Sequence, residues 1–335
     1  MSRGSRCIRA ILRYSDSTYL ITHAHLDHIR SMHSLLLPNI HTELVYHSGL
    51  VLSAGSLPAT QKRRIAAIDS VLHNLESVFS GHLWPKLANW QEDEDKHTYL
   101  LTRYASFPFH IRVIHLLTPS LPSLSQSQYQ PLCPNVSIRP MLISHGTSSD
   151  PSSSEPYEST AFFVRNDTTS HEFLFFGDVE PDSISIQPRT HLVWKEAAPL
   201  ILAQRLSAIF LECSWPEGRK DEQLYGHLSP SYVVEELEAL ADEIIALRSD
   251  SHSNSNSSGS DSTTPTTTLL SEKEVNGRSG VLSGVTLYII HCKANLKGSC
   301  DQSVIIAEQV EGLVRERNLG VEVVCVKQGM CIGMW

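Results

Sequence analysis

The sequence predicts a mixed α/β fold that is not a plain doubly wound sheet. Three observations carry that prediction. Short runs rich in β-branched and aromatic residues recur along the chain, helical spacing of apolar residues is confined to a few segments, and the strands come in clusters instead of alternating strictly with helices. The β-rich runs are 111–117, 136–143, 160–165, 172–176, 208–211, 285–290 and 321–326. Helical periodicity is clearest after Ser229-Pro230, where Val233, Leu237, Leu240, Ile244 and Leu247 share one face. Ser229 is placed to cap that helix and Pro230 to open its first turn. A second amphipathic helix is expected over 302–317 and a third over 61–79.

Composition narrows the class. A chain of 335 residues with 41% hydrophobic content can bury a sizeable core, which excludes global disorder and suits one domain, 1–335, carrying insertions. No apolar run reaches the roughly 18 residues that a membrane helix needs. The first seven residues lack the apolar stretch of a secretory leader. A net charge of −9 disfavours a broad electrostatic grip on nucleic acid. Seven cysteines without a CxxC pair indicate neither a disulfide framework nor a zinc knuckle, and a reducing cytoplasm is the expected compartment. Residues 249–268 contain 13 serines and threonines and no apolar side chain, so a disordered insertion is expected there, reaching to about 283. Smaller surface loops are expected over 118–134 and 147–159.

Histidine is unusually abundant, with 17 in the chain, and the sharpest feature is Thr22-His23-Ala24-His25-Leu26-Asp27-His28. It follows the apolar run Tyr19-Leu20-Ile21. If that run is a strand, His23 and His25 point to one side, and Asp27 and His28 lie in the turn beyond. Three imidazoles and a carboxylate within six residues suit two adjacent divalent cations, which need further ligands from elsewhere. Strand ends offer them: His145 follows Met141-Leu142-Ile143-Ser144, Asp178 follows Phe173-Leu174-Phe175-Phe176-Gly177, and His291 closes Leu287-Tyr288-Ile289-Ile290. Cys292 beside it suits packing better than ligation, and Trp84, Trp194 and Trp215 suit packing better than stacking on a purine.

These segments resemble the metallo-β-lactamase superfamily, whose signature is HxHxDH followed by separate His, Asp and His ligands. The chain is most similar to the class II 3′,5′-cyclic-nucleotide phosphodiesterases, through THAHLDH, ISHG, FFGDVEPDSI, IFLECSW, LYGHLSP and LYIIHCK in that order. The resemblance implies an αββα four-layer sandwich and two divalent ions, zinc first, with manganese or magnesium as alternatives. His23, His25 and His145 would hold one ion, Asp27, His28 and His291 the other, and Asp178 would bridge them. Asp27 also counts among the catalytic groups. His291 is preferred to His227 as the last ligand because it ends a strand. By the same likeness Glu212 would orient His227 as proton donor to the departing 3′-oxygen while a metal-bridged hydroxide attacks the phosphorus of cAMP, or of cGMP. The expected partner is this small cyclic nucleotide, not nucleic acid or membrane, and a homodimer is compatible with it.

Two departures from the family pattern stand out. The resemblance implies two strands before the histidine motif, yet about twenty residues precede it, so either the N-terminal strands are truncated or the sheet edge is completed in some other way. Ser31 stands where the family prefers glycine. Two other functions remain open: a ribonuclease-Z-like phosphodiester hydrolase, which the −9 charge opposes, and an impaired homologue that only binds nucleotide.

Overall fold

The computed structural model describes residues 18–25, 50–51, 64–82, 86, 88–91, 99–105, 129–147, 155–253, 277–293, 301–327, 330 and 332–333. Asp27, His28, Ser31, Trp84, the run 111–117 and residues 254–276 lie outside them. Where the sequence suggests one domain, the structure divides into two compact units. The first draws on Met1–Ile143, Tyr157–Asp178 and Val326–Trp335, the second on Ser144–Pro156 and Val179–Cys325. Because the chain leaves and re-enters each unit, no linker or shift of composition marks the division.

In the first unit, β1 (Thr18–Leu20), β2 (Leu50–Val51), β3 (Arg64–Ala67), β4 (Ala88–Asn89) and β5 (Tyr99–Arg103) form a sheet in the order β2-β1-β3-β5-β4. β1 runs antiparallel to β2, and the other pairs are parallel. Helix α1 (Asp69–Val78) lays Val71, Leu72 and Leu75 onto this sheet against Ile65, Ala67 and Tyr99. The helix expected over 61–79 therefore starts only at Asp69, and Arg64–Ala67 before it are a strand. Ile65, Ala66 and Ala67 are fully buried and paired to β1 and β5, and this ladder overrides the helical reading of an apolar run too short to decide for itself.

The same unit holds a second, antiparallel run of strands: β6 (Gln130–Cys133), β7 (Val136–Thr147), β8 (Pro156–Asn166) and β9 (Glu172–Phe176), in the order β6-β7-β8-β9. From Ser144 onward β7 counts with the second unit, as does Pro156 of β8. Every residue of β9 is buried, its apolar run Phe173–Phe176 and the charged Glu172 alike. The loops expected over 118–134 and 147–159 end in strands instead, since β6 occupies Gln130–Cys133 and β8 starts at Pro156. Tyr129, in front of β6, bonds through its hydroxyl to the buried Glu172 and lies under the Arg165 guanidinium at 4.0 Å. Those polar partners are remote in sequence.

The second unit is built on three parallel strands, β10 (Leu206–Glu212), β11 (Thr286–Ile290) and β12 (Glu322–Cys325). Helices α2 (Thr190–Leu202), α3 (Pro230–Ser253) and α4 (Gln302–Glu316) flank them. Parallel pairing needs such crossovers and brings the C-terminal ends of the strands to one edge. Here the register sets Glu212 opposite Ile290, so His291 lies one residue past the partner of Glu212. Pro230 opens α3 as expected, and Val233, Leu237, Leu240 and Ile244 are buried, while Leu247 is exposed. The carboxylate that receives the Ser231 N–H is Glu217, whereas Ser229 contributes its carbonyl to Val233. Helix α2 was not expected. Its opening N–H groups at Arg189, Thr190 and His191 are bound by Asp182, too far upstream to read as a cap.

The insertion expected over 249–283 is shorter than its composition suggests. Helix α3 runs through Ser253, and residues 277–283 are anchored, with Leu282 fully buried and Arg278 making a two-pronged bond to Asp242 of α3.

Glu236 of α3 is 4% exposed and accepts from Asp182 N and Trp194 Nε1, so Trp194 is a core residue and not a stacking surface. Burial raises the Glu236 carboxyl to about 7. Between the unfolded value of 4.5 and about 7 the folded chain binds the extra proton, so stability falls as pH rises through that window. Denaturant titrations from pH 4.5 to 8 should show this decline, on the order of 3 kcal/mol. It should be missing from the pH profile of Glu236→Gln.

Candidate metal centre

Thr22 and His23 leave β1 fully buried. The backbone bond from Ile21 N to Ala66 O carries the pairing one residue past the strand, which fixes the direction of exit. His23 and His25 sit edge to face with ring centroids 4.8 Å apart, in agreement with the expected same-side pair. His23 Nδ1 lies 3.1 Å from Thr22 Oγ1, and its Nε2 lies 3.6 Å from Oδ2 of the buried Asp178. Asp178 reaches this place because residue 177 is glycine. A Cβ there would stand 2.5 Å from both Ser159 Oγ and Thr22 Cβ. His25 is exposed, and its ring stacks on Tyr157 at 4.4 Å and 15°. The first unit thus brings together His23, His25 and Asp178.

The second unit brings together His145, Glu212, His227 and His291, all buried. His145 Nδ1 donates to Gly226 O at 2.7 Å, which leaves Nε2 as the ligand atom. His227 Nδ1 lies 2.8 Å from Glu212 Oε1, and the His227 ring stands 4.8 Å from that of His145 and 5.2 Å from that of His291. Glu212, His227 and His291 each offer a ligand atom within 4.8 Å of the others. The crossing that makes this possible is a glycine pair. Gly226 has φ +77°, and a Cβ on it would lie 2.7 Å from Gly146 N.

Buried imidazoles that present one nitrogen while the other is held by a carbonyl or carboxylate, close to buried acids, form a donor set that fits divalent metal ions. Sequence reasoning missed Tyr157, Ser214 and Lys293. Ser214 Oγ lies 2.7 Å from Glu212 Oε2 and 3.0 Å from His291 Nδ1, and Lys293 Nζ lies 3.1 Å from His291 Nε2. Only their adjacency to Glu212 and His291 in the chain could have pointed to the last two. Trp215 packs under the Arg219 guanidinium at 3.6 Å and donates to Leu224 O.

Histidines and acids gathered at and near strand ends of an α/β fold define a candidate metallo-hydrolase. The structure resembles the crystal structure of unliganded yeast PDE1, with a TM-score of 0.63 and 24% identity over 93% of this chain and 67% of that one. That likeness bears out the expected fold class. The family of cAMP phosphodiesterases class-II matches residues 12–329, and the chain belongs to that family. Among curated relatives, a 3′,5′-cyclic-nucleotide phosphodiesterase of Schizosaccharomyces pombe is 26% identical over 93% of this chain and 67% of its own length. One from Aliivibrio fischeri is 25% identical over 93% and 68%. The chain thus spans about two thirds of the length of these relatives.

The two glycine contacts can be tested together. Gly177→Ala and Gly226→Ala should each lower stability by about 1–3 kcal/mol, because backbone and buried side chains must shift to admit the methyl group. Gly218 also has a positive φ, +97°, but nothing lies within 4 Å of a Cβ there. Gly218→Ala should therefore show only the backbone part, roughly 1 kcal/mol. Equilibrium unfolding of the three variants separates steric from conformational cost.

Proposed function

We propose that the chain hydrolyses 3′,5′-cyclic AMP, with cGMP as a second substrate, by breaking the bond from phosphorus to the 3′-oxygen. His23, His25 and His145 would hold one divalent ion and Asp27, His28 and His291 another, with Asp178 contributing its carboxylate to them. When bound, such ions supply charge neutralisation and an activated water to an anionic diester. Zinc suits a set dominated by imidazole. The reading is supported by membership of the class-II family and by the buried donors gathered in each unit.

The single observation that carries it is the His227–Glu212 pair. A ribose 3′-alkoxide leaves poorly without a proton. Glu212, wholly buried, accepts from His227 Nδ1 at 2.8 Å and from Val179 N at 3.1 Å. The bond from His227 keeps a hydrogen on Nδ1, so a proton taken up by His227 sits on Nε2, from which it can pass to the departing oxygen. The carboxylate keeps the ring in one orientation throughout.

If His227 is that acid, its importance depends on how badly the leaving group needs a proton. His227→Ala should retain bound metal and lose about 10²–10⁴-fold in cAMP hydrolysis. The same variant should cleave bis(p-nitrophenyl) phosphate at close to the parent rate, because nitrophenolate leaves without help. Equal losses on both diesters would remove His227 from the acid role. Asp178→Ala should lose most of the bound metal and essentially all turnover, as read by elemental analysis and a cAMP assay on the same sample.

A further inference from the structure

The neighbours of His291 fix where its ring proton sits. Ser214 Oγ lies 2.7 Å from Glu212 Oε2 and gives its hydrogen to that carboxylate, so its oxygen is left to accept from the His291 ring. Nδ1 then carries the hydrogen and donates it to Ser214 Oγ at 3.0 Å. Ser214 has a single hydrogen of its own and two acceptors in reach: Glu212 Oε2 at 2.7 Å and the His291 carbonyl at 3.1 Å. The charged and shorter partner takes it. The other carboxylate oxygen, Oε1, receives His227 Nδ1.

We propose that Ser214 is a positioning residue that relays the Glu212 carboxylate to His291, so that one buried acid sets the ring tautomer of two histidines. Glu212 acts on His227 directly and on His291 through the serine hydroxyl. In both rings a hydrogen is held at Nδ1, turned toward the acid. The backbone of Ser214 reinforces the arrangement: its N–H donates to Leu228 O, next to His227, and its carbonyl accepts from Lys293 N, two residues past His291. Ser214 is itself fully buried, which leaves its hydroxyl little freedom to turn away. The tautomer assignment stands on these contacts alone. Its use, ligation of a divalent ion through His291 Nε2, rests on the function proposed above.

Nitrogen-15 spectra of the imidazoles in the metal-free full-length chain test the relay directly. The parent should show His227 and His291 as Nδ1–H tautomers. Ser214→Ala should move the His291 signals toward a mixture and leave His227 in place, while Ser214→Thr, which keeps the hydroxyl, should restore the parent pattern. Zinc titration of the same samples should weaken by about 10–100-fold in the alanine variant and stay near the parent in the threonine variant. Should Ser214→Ala fail to fold, Ser214→Cys offers a side chain of similar size and a much weaker donor for the same comparison. An unchanged His291 spectrum, or an equal shift of both histidines, overturns the relay. A changed tautomer with unchanged zinc affinity keeps the relay and removes His291 from the ligand set.

Discussion

The carboxylate of Glu212 is closed off from water, and each of its oxygens is claimed by donors: Val179 N and His227 Nδ1 on one, Ser214 Oγ on the other. A carboxylate buried without such partners would cost several kcal/mol, and here the compensation comes from two distant segments and from Ser214, two residues along the same chain. The segments of Val179 and His227 are thereby held in register with the end of β10. The parallel pairing of β10 with β11 does the rest, because it delivers His291 to the same edge without any loop having to find its way there. A buried acid at a strand end thus organises a cluster that no single stretch of sequence contains.

Steric permission matters as much as attraction. In the first unit the absence of a side chain at Gly177 lets the end of β9 lie against Thr22, which sets Asp178 3.6 Å from His23. In the second, Gly146 and Gly226 cross at backbone distance, and the Gly226 carbonyl then orients His145. Both contacts sit directly beside a residue of the candidate site: Gly177 precedes Asp178, Gly146 follows His145, and Gly226 precedes His227. Glycine beside a chemistry-bearing residue lets two stretches of backbone approach closely enough to bring those side chains together.

Much of this was legible in the sequence because strand ends announce themselves. The apolar runs before His145, Asp178 and His291 mark β7, β9 and β11, although β7 continues to Thr147, so His145 lies inside its strand while Asp178 and His291 lie just past theirs. What escaped has a common cause. The strand Arg64–Ala67, the capping of α2 by Asp182 and the anchoring of 277–283 through Arg278 all depend on partners distant along the chain. Periodicity reports only local pattern, and in these places tertiary contacts decided the outcome. Ser214 belongs here too, since a serine after a cysteine carries no signal until Glu212 and His291 are seen on either side of it.

The cysteines show how burial selects the donors. Cys213 and Cys292 lie immediately beside Glu212 and His291 in the chain, and thiolates there would compete for a soft or borderline cation. Burial pushes the Cys292 thiol up to about 12, with Cys325 and Glu212 adding repulsion, and it pushes the Cys213 thiol well above its ordinary value, with Cys292 and Glu212 adding repulsion. Their sulfurs are directed at backbone carbonyls, Cys213 at Trp215 O and Cys292 at Ile290 O. Both therefore remain neutral packing groups at neutral pH. The donors left at this edge are imidazole and carboxylate, whose charge and hydrogen bonds the surrounding backbone already holds in place. That combination suits a borderline divalent ion kept open to a phosphodiester, where a thiolate-rich set would close the coordination shell and bind the metal structurally.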